Sequence, residues 1–279
     1  MSEADPYLLG YRQAEQERLE RQADELAADS ERLFDEIGVR EGWRAIEIGC
    51  GPRGALALLS KRVGATGKVV GIERSAEQVE RARRHAADNG LENVEVLEAD
   101  GRATGLREGS FDLATARLVF ANVPRPEEIL AEMVRLVRPG GIVALHEPDA
   151  TAQRTEPPLA EQGELLQLLN DHAAAHGIDR SIGLRTPRML RERGLADVHV
   201  HTLVHAYPVG HSRRMLLPEF VENARERILA DGLISAADLD ALVGSLRRQL
   251  EKPTTLVVSS LFIQAWGRKG PLADLEKMG

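Results

Sequence analysis

Ala45-Ile46-Glu47-Ile48-Gly49-Cys50-Gly51-Pro52-Arg53-Gly54 is the stretch that decides how the chain is read. A short apolar run ends in a cluster of glycines, and helix-forming residues follow from Ala55. Glycine suits such a place because the backbone must turn tightly and come close to a ligand. Working outward, further apolar runs occur at Val69–Ile72, Val94–Leu97, Leu113–Ala116 and Ile142–Leu145. Helical stretches lie between several of them, at Ala55–Arg62, Ala76–Asn89 and Glu127–Val137. Pro126 suits a first helical turn, and Pro139-Gly140-Gly141 reads as the turn that ends that helix. Strands alternating with helices argue for a parallel sheet covered on both faces. Two later strands, Val198–Ala206 and Thr254–Ala265, would close it as an antiparallel pair. The expected fold is α/β: a doubly wound, mostly parallel seven-stranded sheet with a helical N-terminal segment and helical cap insertions.

Read literally, Gly49, Gly51 and Gly54 match the dinucleotide fingerprint G-x-G-x-x-G, and the acidic Glu73 ends the next strand. On spacing alone, a nicotinamide- or flavin-dependent oxidoreductase is a real competitor. Charge favours another ligand. Glu47 stands two residues before Gly49, and a carboxylate near a pyrophosphate is repulsive. Near the ammonium and sulfonium of S-adenosylmethionine it is favourable. Glu47 could equally hydrogen-bond backbone amides of the turn. Glu73 is placed to accept hydrogen bonds from both hydroxyls of a ribose, and as a plain residue at a helix start it would suit the dipole. Gln78 lies one turn into the following helix, near an adenosine so placed.

Before this region, a charged helix is expected over Tyr11–Ile37, with Leu19, Leu26, Leu33 and Ile37 at helical spacing. It reads as a solvated helix packed on a neighbour, or as a lid carrying Tyr7, Tyr11, Arg18 or Gln22 over a ligand. After Asp149 the chain is more helical, at Leu159–His176, Thr186–Arg193, Phe220–Ala230 and Ala236–Leu250. Helices on either side of Val198–Ala206 would cap the strand ends. The chain thus divides into a lid segment (1–42), a cofactor-binding core (43–150), and cap insertions with the last two strands (151–279). His199, His201 and His205 alternate on an expected strand. That could build part of a metal site, but it more often marks a half-exposed sheet face, and no metal is assigned.

The 279 residues include 43% hydrophobic and 29% charged residues, an ordinary globular composition. The net charge of −8 argues against a broad electrostatic grip on nucleic acid or an anionic membrane. Cys50 is the single cysteine, so neither an internal disulfide nor a cysteine-rich metal centre is expected. No apolar run approaches the ~20 residues that span a bilayer. The expectation is a cytoplasmic enzyme with a small-molecule partner, no nucleic acid and no membrane. Oligomeric state is not legible.

Several motifs in order resemble the class I methyltransferase family, particularly its small-molecule branch, which is similar to the ubiquinone and menaquinone biosynthesis methyltransferases. They are Glu47-Ile48-Gly49-Cys50-Gly51, Val70-Gly71-Ile72-Glu73, Glu98-Ala99-Asp100-Gly101, Phe111-Asp112-Leu113 and Leu136-Val137-Arg138-Pro139-Gly140-Gly141. The resemblance implies S-adenosylmethionine as cofactor. Gly49 and Gly51 would line its methionine part, Glu73 would hold the ribose, and Asp100 and Gly101 would meet the adenine. Arg117 would stand near the methionine end, facing the cofactor carboxylate or the acceptor. One departure is that Arg53 occupies the usual third-glycine place and Gly54 follows it.

Methyl transfer from a sulfonium is an in-line displacement, so the protein mainly aligns the reactants and excludes water. Where the acceptor must lose a proton, His146 is the leading candidate base, because it ends the fifth strand beside Glu147 on the ligand-binding rim. His172 and His176, one helical turn apart, are weaker candidates. Leu165, Leu168, Leu169, Met189, Met215, Leu216, Leu217 and Phe220 are expected either to be ordinary core or to line a cavity for a small, fairly apolar acceptor. A non-methylating cyclase or a binding protein on the same fold stays open.

Overall fold

The structure, a computed structural model, describes residues 13–270. Two helices, α1 (Gln13–Glu25) and α2 (Ala27–Ile37), precede the sheet. They replace the single helix expected over Tyr11–Ile37. The hydrogen bonds Leu26 N→Gln22 O and Ser30 N→Leu26 O run through the junction, so it is a kink at buried Leu26. Tyr7 and Tyr11 lie outside the described residues. The core continues through β1 (Arg44–Ile48), α3 (Leu56–Val63), β2 (Lys68–Glu73), α4 (Ala76–Asp88), β3 (Val94–Glu98), β4 (Phe111–Arg117), α5 (Pro126–Leu136) and β5 (Val137–Asp149). Beyond it come β6 (Arg154–Glu156), α6 (Ala160–Ala175), α7 (Thr186–Glu192), β7 (Leu195–Leu203), β8 (Ala206–Tyr207), α8 (Leu216–Ala230), α9 (Ala236–Leu250), β9 (Leu256–Val258) and β10 (Leu261–Lys269).

The main sheet has seven strands in the order β3-β2-β1-β4-β5-β10-β7. The first five run parallel, and β10 is antiparallel to both β5 and β7. This is the doubly wound, mostly parallel arrangement expected from the alternating pattern. Its central strands β1, β4 and β5 are largely apolar on both faces because both are covered, whereas the edge strands β3 and β7 stay half exposed. One face carries Ala45, Leu113, Ile142 and Ala144 and receives Leu33, Phe34 and Ile37 of α2 together with α3. The other carries Ile46, Ala114, Val143 and Leu145 under Leu130 and Met133 of α5 and Leu190 of α7. Strand order reverses between β1 and β4, which opens a crevice at their carboxyl ends. The Pro139-Gly140-Gly141 turn is absorbed into the start of β5: Phe111 pairs with Val137 but Leu113 with Ile142, so the extra residues bulge out.

The second half departs from expectation in three ways. Thr254–Ala265 is not one strand, because β9 and β10 join different sheets, and β7 and β8 part in the same way. Together β6, β9 and β8 form a three-stranded antiparallel sheet beneath the cap. The cap consists of α6, α8 and α9, whereas α7 packs on β7 and β10 of the main sheet. Leu165, Leu169 and Leu217 fill the cap's own core, with Leu168, Met215 and Phe220 packed against it, and Met189 belongs to the sheet core. None of the eight apolar residues considered for an acceptor cavity, Leu216 included, lines the main cleft.

Two buried charged side chains hold these parts in place, one in the cap and one beside the crevice. Among the described residues Arg214 has no carboxylate partner, and it donates to the backbone carbonyls of Leu250, Tyr207, Lys252 and Thr255. It caps the end of α9 and fastens it to the small sheet. Glu147, on β5, accepts from the amides of Val119 (2.8 Å), Phe120 (2.9 Å) and Ala121 (3.3 Å), the open start of the short 3-10 turn after β4. That grip holds Leu118 in a left-handed backbone conformation (φ 57°), strained for a leucine, at the crevice wall.

Arg214→Ala leaves several buried carbonyls without donors and is expected to cost about 3 kcal/mol or more in urea unfolding. A loss below about 1 kcal/mol would show that water or neighbouring groups replace the guanidinium. Burial pushes the Glu147 carboxyl up to about 7, against the pull of its three amide donors. The folded chain therefore keeps this proton to a higher pH than the unfolded chain. Its stabilising contribution is full below pH 4.5 and is lost as pH rises through 7. Measured between pH 5 and 8, wild-type stability should fall relative to Glu147→Gln by up to about 3 kcal/mol. Identical pH dependence in both proteins would contradict the assignment.

Candidate functional site

The crevice at the β1/β4 reversal is a cleft with about 1080 Å³ of empty space, its solvent-open mouth included. It gathers Glu47, Gly49, Gly51, Glu73, Gln78, Asp100, Gly101 and Arg117. These residues come from the ends of four parallel strands, β1 to β4, from the turns that follow them and, for Gln78, from the first turn of α4. All eight expected cofactor-binding positions meet here. His146 does not line the cleft.

Glu47 is 1% exposed, and both its oxygens accept from the Ala55 amide, at 3.0 and 2.8 Å, at the start of α3. Burial raises its carboxyl to about 7, while Arg117 and the Ala55 amide pull it down. Gly54 has φ 52°, and a Cβ there would overlap the Glu47 carboxylate. The displaced third glycine therefore makes room for that buried acid. Gly49 (φ 67°) sends its amide to Ile72 O at 2.8 Å, and a Cβ on it would strike Val119. At Gly51 (φ 56°) a Cβ would meet nothing within 4 Å, so this backbone faces open cleft.

Glu73 ends β2 with one oxygen held by the amides of Arg74 (2.7 Å) and Ser75 (2.9 Å) and the other by Gly51 N at 3.1 Å. The helix-start role and a cleft-facing role thus coexist in one carboxylate. Gln78 is buried with its Oε1 unpaired, and its amide nitrogen bonds Gln16 of α1. Asp100 accepts from Arg102 N at 2.8 Å and pairs with the Arg102 guanidinium at 3.2 Å. Gly101 lies against Ile48, where a Cβ has no room. Partly buried Arg117 donates to Ser30 Oγ of α2 at 2.9 Å. Burial lowers its pKa, and the nearby Glu47 opposes this.

The N-terminal helices form part of the wall. Leu19 and Gln22 of α1 line the cleft, whereas Arg18 instead grips Glu15 at 2.6 Å. Arg53, where the third glycine would stand, reaches Asp24 of α1 through two bonds of 2.9 and 2.8 Å. The glycine turn is thereby fastened to the helix above it. Sequence reasoning missed this link, because nothing local couples residues 24 and 53.

The histidines separate into unrelated settings. His146 is 1% exposed, edge-on to Phe262, with its pKa lowered to about 3 by burial and by the charges of Arg117, Arg213 and His205. His199 and His201 flank Trp266 at 5.3 and 5.0 Å, and His205 leaves the strand to bond Asp29 at 2.9 Å. The three therefore share no ligand geometry. His172 and His176 lie in the cap beside Asp231, away from the cleft, with His172 Nδ1 on the Asp231 carboxylate at 2.5 Å.

Comparison with known proteins agrees with this geometry. A family model described as a methyltransferase domain matches residues 40–175. A demethylmenaquinone methyltransferase of Staphylococcus aureus (strain MRSA252) is 36% identical over 126 residues, covering 45% of this chain and 50% of that protein. The chain spans about half the length of the curated relatives it matches. A SAM-dependent methyltransferase structure from Aquifex aeolicus superposes with a TM-score of 0.52 at 23% identity, covering 70% of this chain and 93% of that one. The [4+2]-cyclase SpnF superposes at 0.50 with 18% identity, covering 86% and 81%. Fold, ordered motifs and cleft together place residues 40–175 in the class I S-adenosylmethionine-dependent methyltransferase family.

Proposed function

We propose that the chain transfers a methyl group from S-adenosylmethionine to a small-molecule acceptor. The observation that carries this reading is the Glu47 carboxylate seated on the Ala55 amide at the start of α3. In a dinucleotide-binding turn, that helix start is where the pyrophosphate sits. Here a buried carboxylate already takes the amide, which disfavours phosphate and favours a ligand with a cationic end.

The residues fit the cofactor along its length. Glu47 and Arg117 offer opposite charges to the ammonium and carboxylate of the methionine part. Gly51 leaves open space beside them. Glu73 accepts from the ribose hydroxyls, Gln78 stands beside them, and Asp100 with the Gly101 backbone meets the adenine edge. S-adenosylmethionine supplies a methyl on a sulfonium, already an excellent leaving group. The chain's own work is then alignment and exclusion of water, for which Leu19 and Gln22 of α1 close the wall. The α1–α2 segment acts as a lid, latched through Arg53 and Asp24.

The fold neighbour SpnF motivates one other reading, a cyclase that keeps the cofactor without spending it. Release of S-adenosylhomocysteine on incubation with small-metabolite extracts supports transfer. Tight cofactor binding with no turnover across such extracts would favour the cyclase. Glu73→Ala should weaken S-adenosylhomocysteine binding by about 1.5–3 kcal/mol, and unchanged affinity would remove the ribose assignment. A group titrating near 7 is about half protonated at pH 7, and an ammonium beside it favours the ionised form. Binding at pH 7 should therefore release a fraction of a proton, seen by calorimetry as a dependence on buffer ionisation enthalpy. Glu47→Gln should abolish that release; if it persists, the ammonium is not beside Glu47.

A further inference from the structure

Behind Arg117 lies a second polar group that the cofactor does not need. Arg117, His146 and Gln264 pair across β4, β5 and β10 in one register row, so their side chains share a face of the sheet. Helix α2 lies across that row. Ser30 accepts from Arg117, and the Asp29 carbonyl accepts from Gln264 Nε2 at 2.9 Å. The second bond fixes the amide, so its NH2 end is the one meeting His146 Nδ1, at 3.4 Å. Nδ1 is then the acceptor and Nε2 carries the hydrogen. Both His146 Nε2 and Gln264 Oε1 are buried without partners among the described residues.

Arg213 enters from the cap side and is 4% exposed. Its Nε donates to Glu25 at 2.6 Å, the guanidinium also bonds the Tyr207 hydroxyl, and Nη2 has no partner. Its charge reaches both Arg117 and His146. Buried polar atoms are nearly always paired. His146 thus stands beside Gln264 and within reach of the Arg213 charge, and each of the three buried side chains holds a donor or acceptor unused among the described residues.

We propose that these side chains form a chamber that is the acceptor subsite, and that it selects a small molecule bearing a compact oxyanion, a carboxylate or an ionised hydroxyl. The inference rests on the methyl-transfer reading. An incoming oxyanion would take the Arg213 Nη2 and His146 Nε2 hydrogens, leaving Arg117 to the cofactor carboxylate, and an acceptor hydroxyl would suit Gln264 Oε1. Glu25, the last residue of α1, holds the place that this oxyanion takes when the lid lifts. His146 is then a hydrogen-bond donor rather than a base. An ionised hydroxyl needs no base: its lone pair forms the bond to the methyl carbon, the methyl–sulfur bond breaks with its electrons going to sulfur, and no proton moves.

The test is calorimetric titration of the S-adenosylhomocysteine-saturated chain with benzoate and salicylate against the neutral benzamide and salicylamide. The anions should bind at least about tenfold tighter than their amides. Arg213→Gln should erase that preference while S-adenosylhomocysteine affinity stays within about threefold, and Arg213→Lys should restore part of it. Glu25→Gln, which removes the internal anion, should tighten benzoate binding, a gain that a merely structural role would not produce. Equal binding of anion and amide, or binding of neither, overturns the chamber. A tenfold fall in S-adenosylhomocysteine affinity in Arg213→Gln would instead assign the site to the cofactor's own carboxylate. Failure of the wild-type chain to bind S-adenosylhomocysteine would sink the methyl-transfer reading itself, whereas binding without anion preference sinks the chamber alone.

Discussion

A carboxylate buried at the start of a helix is the constraint around which the cleft is built. Glu47 is almost free of solvent, yet both its oxygens receive the first amide of the turn into α3. Satisfying it requires the chain to curl back over the strand end, and this needs glycines at 49, 51 and 54 in left-handed conformation. That curl leaves the Gly51 backbone facing the cleft and brings its amide to Glu73. A second buried acid, Glu147, does the corresponding work on the opposite wall, where it gathers the amides after β4. The cleft is thus framed by two buried acids whose backbone hydrogen bonds offset part of their desolvation.

Such an arrangement selects its ligand by charge more than by shape. Fold alone does not distinguish chemistries here, since the same architecture superposes on a methyltransferase and on a cyclase. A helix start already occupied by a carboxylate is poorly suited to phosphate and well suited to a cation. The proposed acceptor chamber reverses the sign, with the guanidinium groups of Arg117 and Arg213 near a neutral His146 imidazole. A cationic cofactor end and an anionic acceptor would meet where the two environments join, at Arg117.

The parallel core was legible because its signals are local. Short apolar runs, the glycine turn and acids at strand ends each report on a few adjacent residues, and β1 to β5 lie close to where those runs fall. The late strands were harder, because Thr254–Ala265 reads as one apolar segment, and only pairing with Arg154–Glu156 and Ala206–Tyr207 splits β9 from β10. The role of α7 was hidden for the same reason: its apolar residues could face either a cap or a sheet, and only tertiary packing decides. Of the two readings of the apolar cap residues, ordinary core is the one the structure shows, because leucines in a helical cap must first build the cap's own core. One signal for the chamber was present in the sequence: Gln264 interrupts the apolar run Leu261-Phe262-Ile263-Gln264-Ala265-Trp266, and a lone amide inside such a run needs a partner or a ligand.

The central claim is that the glycine turn and its carboxylates hold an adenosyl-sulfur ligand and not a dinucleotide. Parallel calorimetric titrations of the purified chain with S-adenosylhomocysteine and with NAD test it most directly. Micromolar binding of the first and none of the second is the result the structure predicts. Binding of NAD alone would contradict it and make the literal G-x-G-x-x-G spacing the correct guide.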